Sequence, residues 1–160
     1  KMEFIIQKTV ELGVDKIYPV EMKRCVVKLD DKKKKSKVSR WQSISESAAK
    51  QSKRCKIPEI GDVLSFKGAM ERAKEMDLFL VPYESERGMV STKEALGEIK
   101  SGMKIGIIIG PEGGFEDSEV ETAIEIGGKV VSLGSRILRT ETAAMTAVGM
   151  CMLHVEMNVE

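Results

Sequence analysis

Two glycine-rich loops carry the residues whose types and spacing could do chemistry. Ile109-Gly110-Pro111-Glu112-Gly113-Gly114 closes the apolar run 104–109, and Leu133-Gly134-Ser135-Arg136-Ile137-Leu138-Arg139-Thr140-Glu141-Thr142 follows the run 129–132. In an open α/β sheet the ligand crevice lies beyond the carboxyl ends of the strands, so two such loops on neighbouring strands are expected to face one pocket. A glycine-rich strand-to-helix turn normally attracts phosphate through free N–H groups and the helix dipole. Here the turn and the helix after it carry Glu112, Glu116, Asp117, Glu119, Glu121 and Glu125, with no Lys or Arg between positions 105 and 128. That charge repels a di- or triphosphate, and neither GxxxxGK[ST] nor GxGxxG is matched. A small ligand without phosphate, such as an adenosine bearing a sulfonium and an amino acid tail, suits the loop. Asp117 and Glu119 are equally well read as first-turn acids that cap a surface helix, a reading that explains Glu112 less well.

Around this pocket no Ser/His/Asp or Cys/His arrangement can be assembled. The single histidine, His154, lies near the end of an apolar helix away from both loops, where a packing role accounts for it. Cys25, Cys55 and Cys151 are odd in number and lack CxxC spacing, which indicates neither a disulfide framework nor a metal site and fits a reducing, cytoplasmic setting. No signal peptide is visible, and the longest apolar stretch, 143–153, is too short to span a bilayer.

The motifs GPEGG and LGSRILRTETA, the upstream Gln51-Ser52-Lys53-Arg54 and the opening Gln7-Lys8-Thr9-Val10-Glu11-Leu12-Gly13-Val14 occur in this order. In this combination the chain, from residue 1 to about 153, resembles the bacterial ribosomal RNA (uracil-N3)-methyltransferases of the E type, members of the SPOUT superfamily. The resemblance implies S-adenosyl-L-methionine as cofactor, uridine N3 in small-subunit (16S) ribosomal RNA as acceptor, a homodimer, and an α/β parallel-sheet layered domain with a C-terminal deep trefoil knot. It distributes cofactor contacts over Leu80, Pro82, Tyr83 and Glu84, over Ile109, Gly110, Pro111, Glu112, Gly113 and Gly114, and over Leu133, Gly134, Ile137, Leu138 and Thr142. Members of the family carry a small PUA-like barrel ahead of the first helix, whereas this chain begins at that helix. Where the family usually has Glu before the arginine at position 24, this chain has Lys23.

Methyl transfer to uracil N3 requires an aligned methyl donor, loss of the N3 proton and stabilisation of the anion formed. Arg139 is the first candidate to favour that anion by direct charge, with Arg24, Gln51 and Arg54 positioning the substrate. Arg136 could instead brace its loop by pairing with Glu112 or Glu141, and no residue pattern marks the general base, for which Glu141 is the candidate named. A ribose 2′-O-methyltransferase of the same superfamily would share the pocket. A non-catalytic RNA-binding module would leave the two loops without a ligand.

The 160 residues, 42% of them hydrophobic, suffice for one core with no evident linker. A net charge of +1 conceals an asymmetry: positions 16–56 hold fourteen Lys or Arg against Glu21, Asp30, Asp31 and Glu46. The basic part suits a polyanion. Lys32-Lys33-Lys34-Lys35 reads as a solvated loop, while Lys23, Arg24, Lys50, Lys53 and Arg54 flank regular structure that can direct them toward phosphates or bases.

To position these groups, apolar periodicity predicts helices over 2–12, 37–53, 68–75, 92–99, 118–126 and 140–157. Strands are predicted over 17–20, 25–29, 78–81, 104–109 and 130–133. Strands alternating with helices imply a parallel, layered α/β sheet. The last helix is apolar almost all round, through Ala143, Ala144, Met145, Ala147, Val148, Met150, Cys151, Leu153 and Val155, so burial on more than one side is expected. A second subunit or the rest of the same subunit could cover it.

Overall fold

A computed structural model describes residues 1–84 and 88–158. Its architecture is organised by β5 (Leu78–Pro82), the central strand of a parallel sheet in which β6 (Ile105–Ile107) and β7 (Lys129–Val131) lie on either side. Phe79 pairs with Gly106, and Val81 with Val130. Alternation along β5 feeds two cores. Phe79 and Val81 pack with Met70 and Ala73 of α3 (Phe66–Ala73) and with Val120 and Ala123 of α5 (Asp117–Glu125). Leu78 and Leu80 pack with Ala95 of α4 (Val90–Gly97), with Ile99, and with Cys151 of α6 (Thr140–Asn158). A strand covered on both faces reads as a continuous apolar run, as Leu78-Phe79-Leu80-Val81 does.

The two loop-bearing strands are therefore not neighbours, contrary to the sequence-based expectation. β5 lies between them and brings a third segment, Pro82-Tyr83-Glu84, to the same carboxyl-terminal edge.

The first half of the chain forms a separate core. In it α1 (Met2–Leu12) and α2 (Asp31–Gln51) enclose Ile6, Val10, Trp41, Ala48, Ala49 and Ile60. Gly13 ends α1 at φ 110°, and its N–H bonds the Val10 carbonyl at 3.2 Å. A Cβ there would stand 2.9 Å from Met152 Cε, so glycine also permits α6 to approach α1.

Three further expectations need correction. The predicted strand over 17–20 is two short pieces, β1 (Lys16–Ile17) and β2 (Val20–Glu21), because Pro19 cannot donate to a ladder. They pair in parallel with β3 (Glu59–Ile60) and β4 (Leu64–Ser65), two-residue strands that carry no periodic signal. The branched run 25–29 is not a strand. It turns at Cys25, whose N–H bonds the Met22 carbonyl, and leaves Val26 82% exposed. The lysine quartet is helical rather than a loop, since α2 starts at Asp31 with the Asp30 carboxylate accepting the Lys33 N–H at 2.9 Å. The other boundaries move by a few residues. Among the described residues, no helix is long and apolar enough to cross a membrane.

Candidate active site

At the carboxyl edge of the sheet a cavity of about 280 Å³ is walled by Pro82, Tyr83 and Glu84, by the 132–138 loop and by Ala143. Its loop is held from below by two buried residues that sequence reasoning did not single out. Thr92 Oγ1 donates to the Ser132 carbonyl at 2.7 Å and accepts from the Ser132 N–H at 2.9 Å. Ser132 Oγ in turn accepts the Gly134 N–H at 3.1 Å. Gly134 sits at φ 109°, a region open to glycine, and the Arg136 guanidinium lies 3.3 Å from where its Cβ would stand. Nothing in the sequence pattern marks Thr92, since its partner is a backbone forty residues away.

The GPEGG loop reaches the same edge from the other side. It turns through a Gly114 N–H to Pro111 carbonyl bond of 2.8 Å, with Gly114 at φ 76°. Tyr83 joins it to the cavity wall: the hydroxyl meets Asp117 Oδ1 at 3.3 Å and the ring stands edge-on to Phe115, centroids 6.2 Å apart. Lys1 Nζ bridges the two loops, 2.6 Å from Glu112 and 4.0 Å from Glu141. This ammonium holds the Glu112 carboxyl below its ordinary range, with a lesser contribution from Arg139. Among the described residues Arg136 pairs with neither carboxylate, and the bracing left open for it is made by Lys1. Glu119 is buried and its carboxylate accepts the Glu116 N–H at 3.2 Å, which establishes the helix-capping reading for that residue.

The predicted site residues are distributed unevenly. Pro82, Tyr83, Glu84, Leu133, Gly134, Ile137 and Leu138 line the cavity. Leu80 is buried in β5 beneath it, and Thr142 lies half-buried in the first turn of α6. Ile109, Gly110 and Pro111 line a second, largely apolar cavity of about 730 Å³ between the sheet and the first-half core. Glu112, Gly113 and Gly114 form the rim facing Arg24, whose Nη1 donates to the Gly113 carbonyl at 3.1 Å. A Cβ on Gly113 would stand 3.0 Å from Arg24 Cβ, so the basic segment packs directly on the loop. Beside it Lys23 pairs with Glu116 at 3.2 Å and donates to Ser118 Oγ at 3.2 Å.

Arg139 is exposed, and its carbonyl accepts the Ala143 N–H at the start of α6. Gln51 is exposed at the last turn of α2. Arg54 is committed within the fold. Lys53 takes a left-handed conformation (φ 59°), alone among the described non-glycine residues, and Arg54 Nη1 then donates to the Val10 and Val14 carbonyls at 3.1 and 2.6 Å. Among the described residues no cluster of three or more His, Cys, Asp or Glu side chains is placed to hold a metal ion.

A parallel sheet with a pocket at its carboxyl edge, walled by a glycine-bearing loop and the end of the central strand, has the architecture of a small-molecule site in an α/β protein. A family model described as RNA methyltransferase domain matches residues 1–152, and the chain belongs to that family. The Bacillus subtilis ribosomal RNA small subunit methyltransferase E is 44% identical over 150 residues, 92% of this chain and 59% of that protein. A Legionella pneumophila putative methyltransferase, solved with bound cofactor SAM, is 34% identical with a TM-score of 0.85, covering 95% of this chain and 60% of that one. The Neisseria gonorrhoeae ribosomal RNA small subunit methyltransferase E, solved bound to S-adenosyl methionine, is 36% identical with a TM-score of 0.80, covering 93% of this chain and 60% of that one. The chain thus spans about three-fifths of the length of these relatives.

Proposed function

We propose that this chain is the catalytic domain of an S-adenosyl-L-methionine-dependent methyltransferase acting on N3 of a uridine in small-subunit (16S) ribosomal RNA. One observation carries the reading: the cavity at the carboxyl edge is walled by residues of two of the three segments that the resemblance assigns to the cofactor, 82–84 and 133–138. Its wall combines backbone of the 133–136 loop with apolar side chains of Pro82, Leu133, Ile137 and Leu138, the mixture an adenosine requires. Tyr83 and Glu84 on that wall would receive polar groups of the ligand, while Gly113 and Gly114 stand at the rim, where Gly113 packs against Arg24. When bound, this cofactor supplies an electrophilic methyl group.

The chain's own residues divide the remaining work. Arg139, exposed beside the loop, offers positive charge to the anion that forms at N3. Arg24, fixed on the Gly113 carbonyl, holds a cation at the rim where an RNA phosphate or base must pass. Gln51 is free to bond a base edge, while Arg54 contributes by locking the end of α1 beside it.

A homodimer belongs to the same reading. Within one subunit α6 buries only Ala144, Ala147 and Cys151, and leaves Leu153 58% and Met157 72% exposed. A second copy would cover them. The trefoil threading of the C-terminal segment and a cytoplasmic setting rest on the resemblance and the cysteine pattern.

Calorimetry with S-adenosyl methionine against ATP tests the pocket. Equal or tighter ATP binding defeats it. Mapping the methyl group on small-subunit RNA tests the acceptor: methylation at N3 blocks the Watson–Crick edge and arrests reverse transcription, whereas a ribose 2′-O product leaves that edge free.

A further inference from the structure

The basic half of the chain does not end at the rim of the pocket. Helical spacing places Lys32, Ser36, Ser39, Ser43, Ser47 and Lys50 in one row along the solvent face of α2, and all six are exposed. The row is about 27 Å long at the ordinary rise of a helix. Lys33 and Lys35 flank it on either side at its amino-terminal end, and Lys37 lies further round the helix toward Glu3 of α1.

This composition carries a cost for the helix. Serines are poor helix formers because their hydroxyls compete for the backbone, as Ser43 Oγ does by donating to the Ser39 carbonyl at 3.3 Å. Lysines in the first turns oppose the helix dipole, and neighbours three or four apart repel one another. The acids nearby do not balance them. Asp30 is engaged as the helix cap, and Glu46 pairs with Lys50 at 2.8 Å. Asp31 alone remains at the end of the row. Lys34 pairs with Glu21, and Arg40 with Glu3. Among the described residues Lys32, Lys33, Lys35 and Lys37 have no carboxylate within ion-pair distance.

Exposed ammonium groups and hydroxyls share one capacity, donation to phosphate oxygens. The amino-terminal end of α2 is tied to the segment that leads to the pocket. The Lys34–Glu21 pair, 3.3 Å long, fixes the lysine end of α2 against β2, and the chain runs on from β2 to Lys23 and Arg24 on the GPEGG loop. We propose that the solvent face of α2 is a phosphate track, along which an RNA strand runs from Lys50 past the lysine cluster to the Arg24 rim. The proposal rests on the RNA-substrate reading and names a surface that reading leaves open.

The test is the salt dependence of binding to a labelled 20-nucleotide single-stranded RNA. Each lost phosphate contact lowers the slope of log K against log salt by about 0.7, so K32Q/K33Q/K35Q/K37Q should lower it by about 3 between roughly 50 and 200 mM. Affinity at the low-salt end should fall at least tenfold, with affinity for S-adenosyl methionine within twofold of the parent. Removing mutually repelling charges should leave the melting temperature unchanged or raised, an outcome that a purely structural role for the lysines does not produce. K67Q/K93Q/K100Q/K104Q removes the same charge elsewhere and should lower the slope by less than 1. An equal drop in both variants, or an unchanged slope in the first, overturns the track and leaves the RNA reading standing. A parent chain that does not bind RNA overturns both, whereas equal competition by polyglutamate and RNA overturns the track alone.

Discussion

Replacing Thr92 by Val exchanges a hydroxyl for a methyl of the same shape and removes the group that serves both the N–H and the carbonyl of Ser132. Both residues are buried, so water cannot take its place. Two orphaned backbone groups at about 1–3 kcal/mol each, offset by about 0.8 kcal/mol for the added buried methyl, give a loss of about 1–5 kcal/mol. In a chain of this size that corresponds to a melting temperature roughly 2–20 °C lower. Because Ser132 anchors Gly134, cofactor affinity should fall as well, even at temperatures where the variant is folded. Thr92→Ser keeps the hydroxyl and loses one methyl, so it should stay within about 1 kcal/mol of the parent. Thermal unfolding followed by circular dichroism, with calorimetry at 15 °C for S-adenosyl methionine, reads both effects. If Thr92→Val melts with the parent and binds cofactor normally, the buried bridge does not hold the loop.

Gly114→Val should abolish S-adenosyl methionine binding while the far-ultraviolet spectrum is retained, since φ 76° excludes a branched residue; retained affinity in a folded variant would remove Gly114 from the site. Arg54→Met should cost about 1.5–3 kcal/mol in urea unfolding through its lost charge-assisted bonds to two carbonyls, and a neutral result would show that α1 ends without it. The Cys151 thiol is pushed up to about 11 by burial, above its ordinary 9.0, so the unfolded chain loses this proton first. Stability should therefore decline as pH rises from 9 toward 11, and in Cys151→Ala that decline should be smaller. Leu153→Glu should halve the particle mass in light scattering with the helix content preserved, whereas a monomeric parent at micromolar concentration would end the dimer reading.

The parts of this fold that were legible in the sequence are those where one residue pattern meets one partner. The run Leu78–Val81 announced a strand, and Gly13 the end of α1. Tertiary pairing decided the rest. Glu59–Ile60 and Leu64–Ser65 become strands only because the edges of residues 16–17 and 20–21 lie opposite them. Val26 and Val27 have a strand's composition but no edge to join. The Asp30 cap was weaker as a sequence signal than the lysines that follow it, and it prevailed. At the site, the two glycine loops were readable from their residues, but the intervening Tyr83–Asp117 contact and the Thr92 support depend on packing order. The committed role of Arg54 and the inward orientation of Ala147 were equally invisible, since a one-dimensional pattern does not say which neighbour a side chain meets.

The central position of β5 also has a consequence during synthesis. Its second edge is closed by β7, whose paired residues lie about fifty positions later in the chain. At a synthesis rate of about 5–20 residues per second, Leu78-Phe79-Leu80-Val81 waits roughly 2–10 s for that partner. Throughout that interval the nascent chain carries its most apolar segment with one edge unpaired. Shielding of that segment while translation continues is then a requirement separate from the stability of the finished sheet.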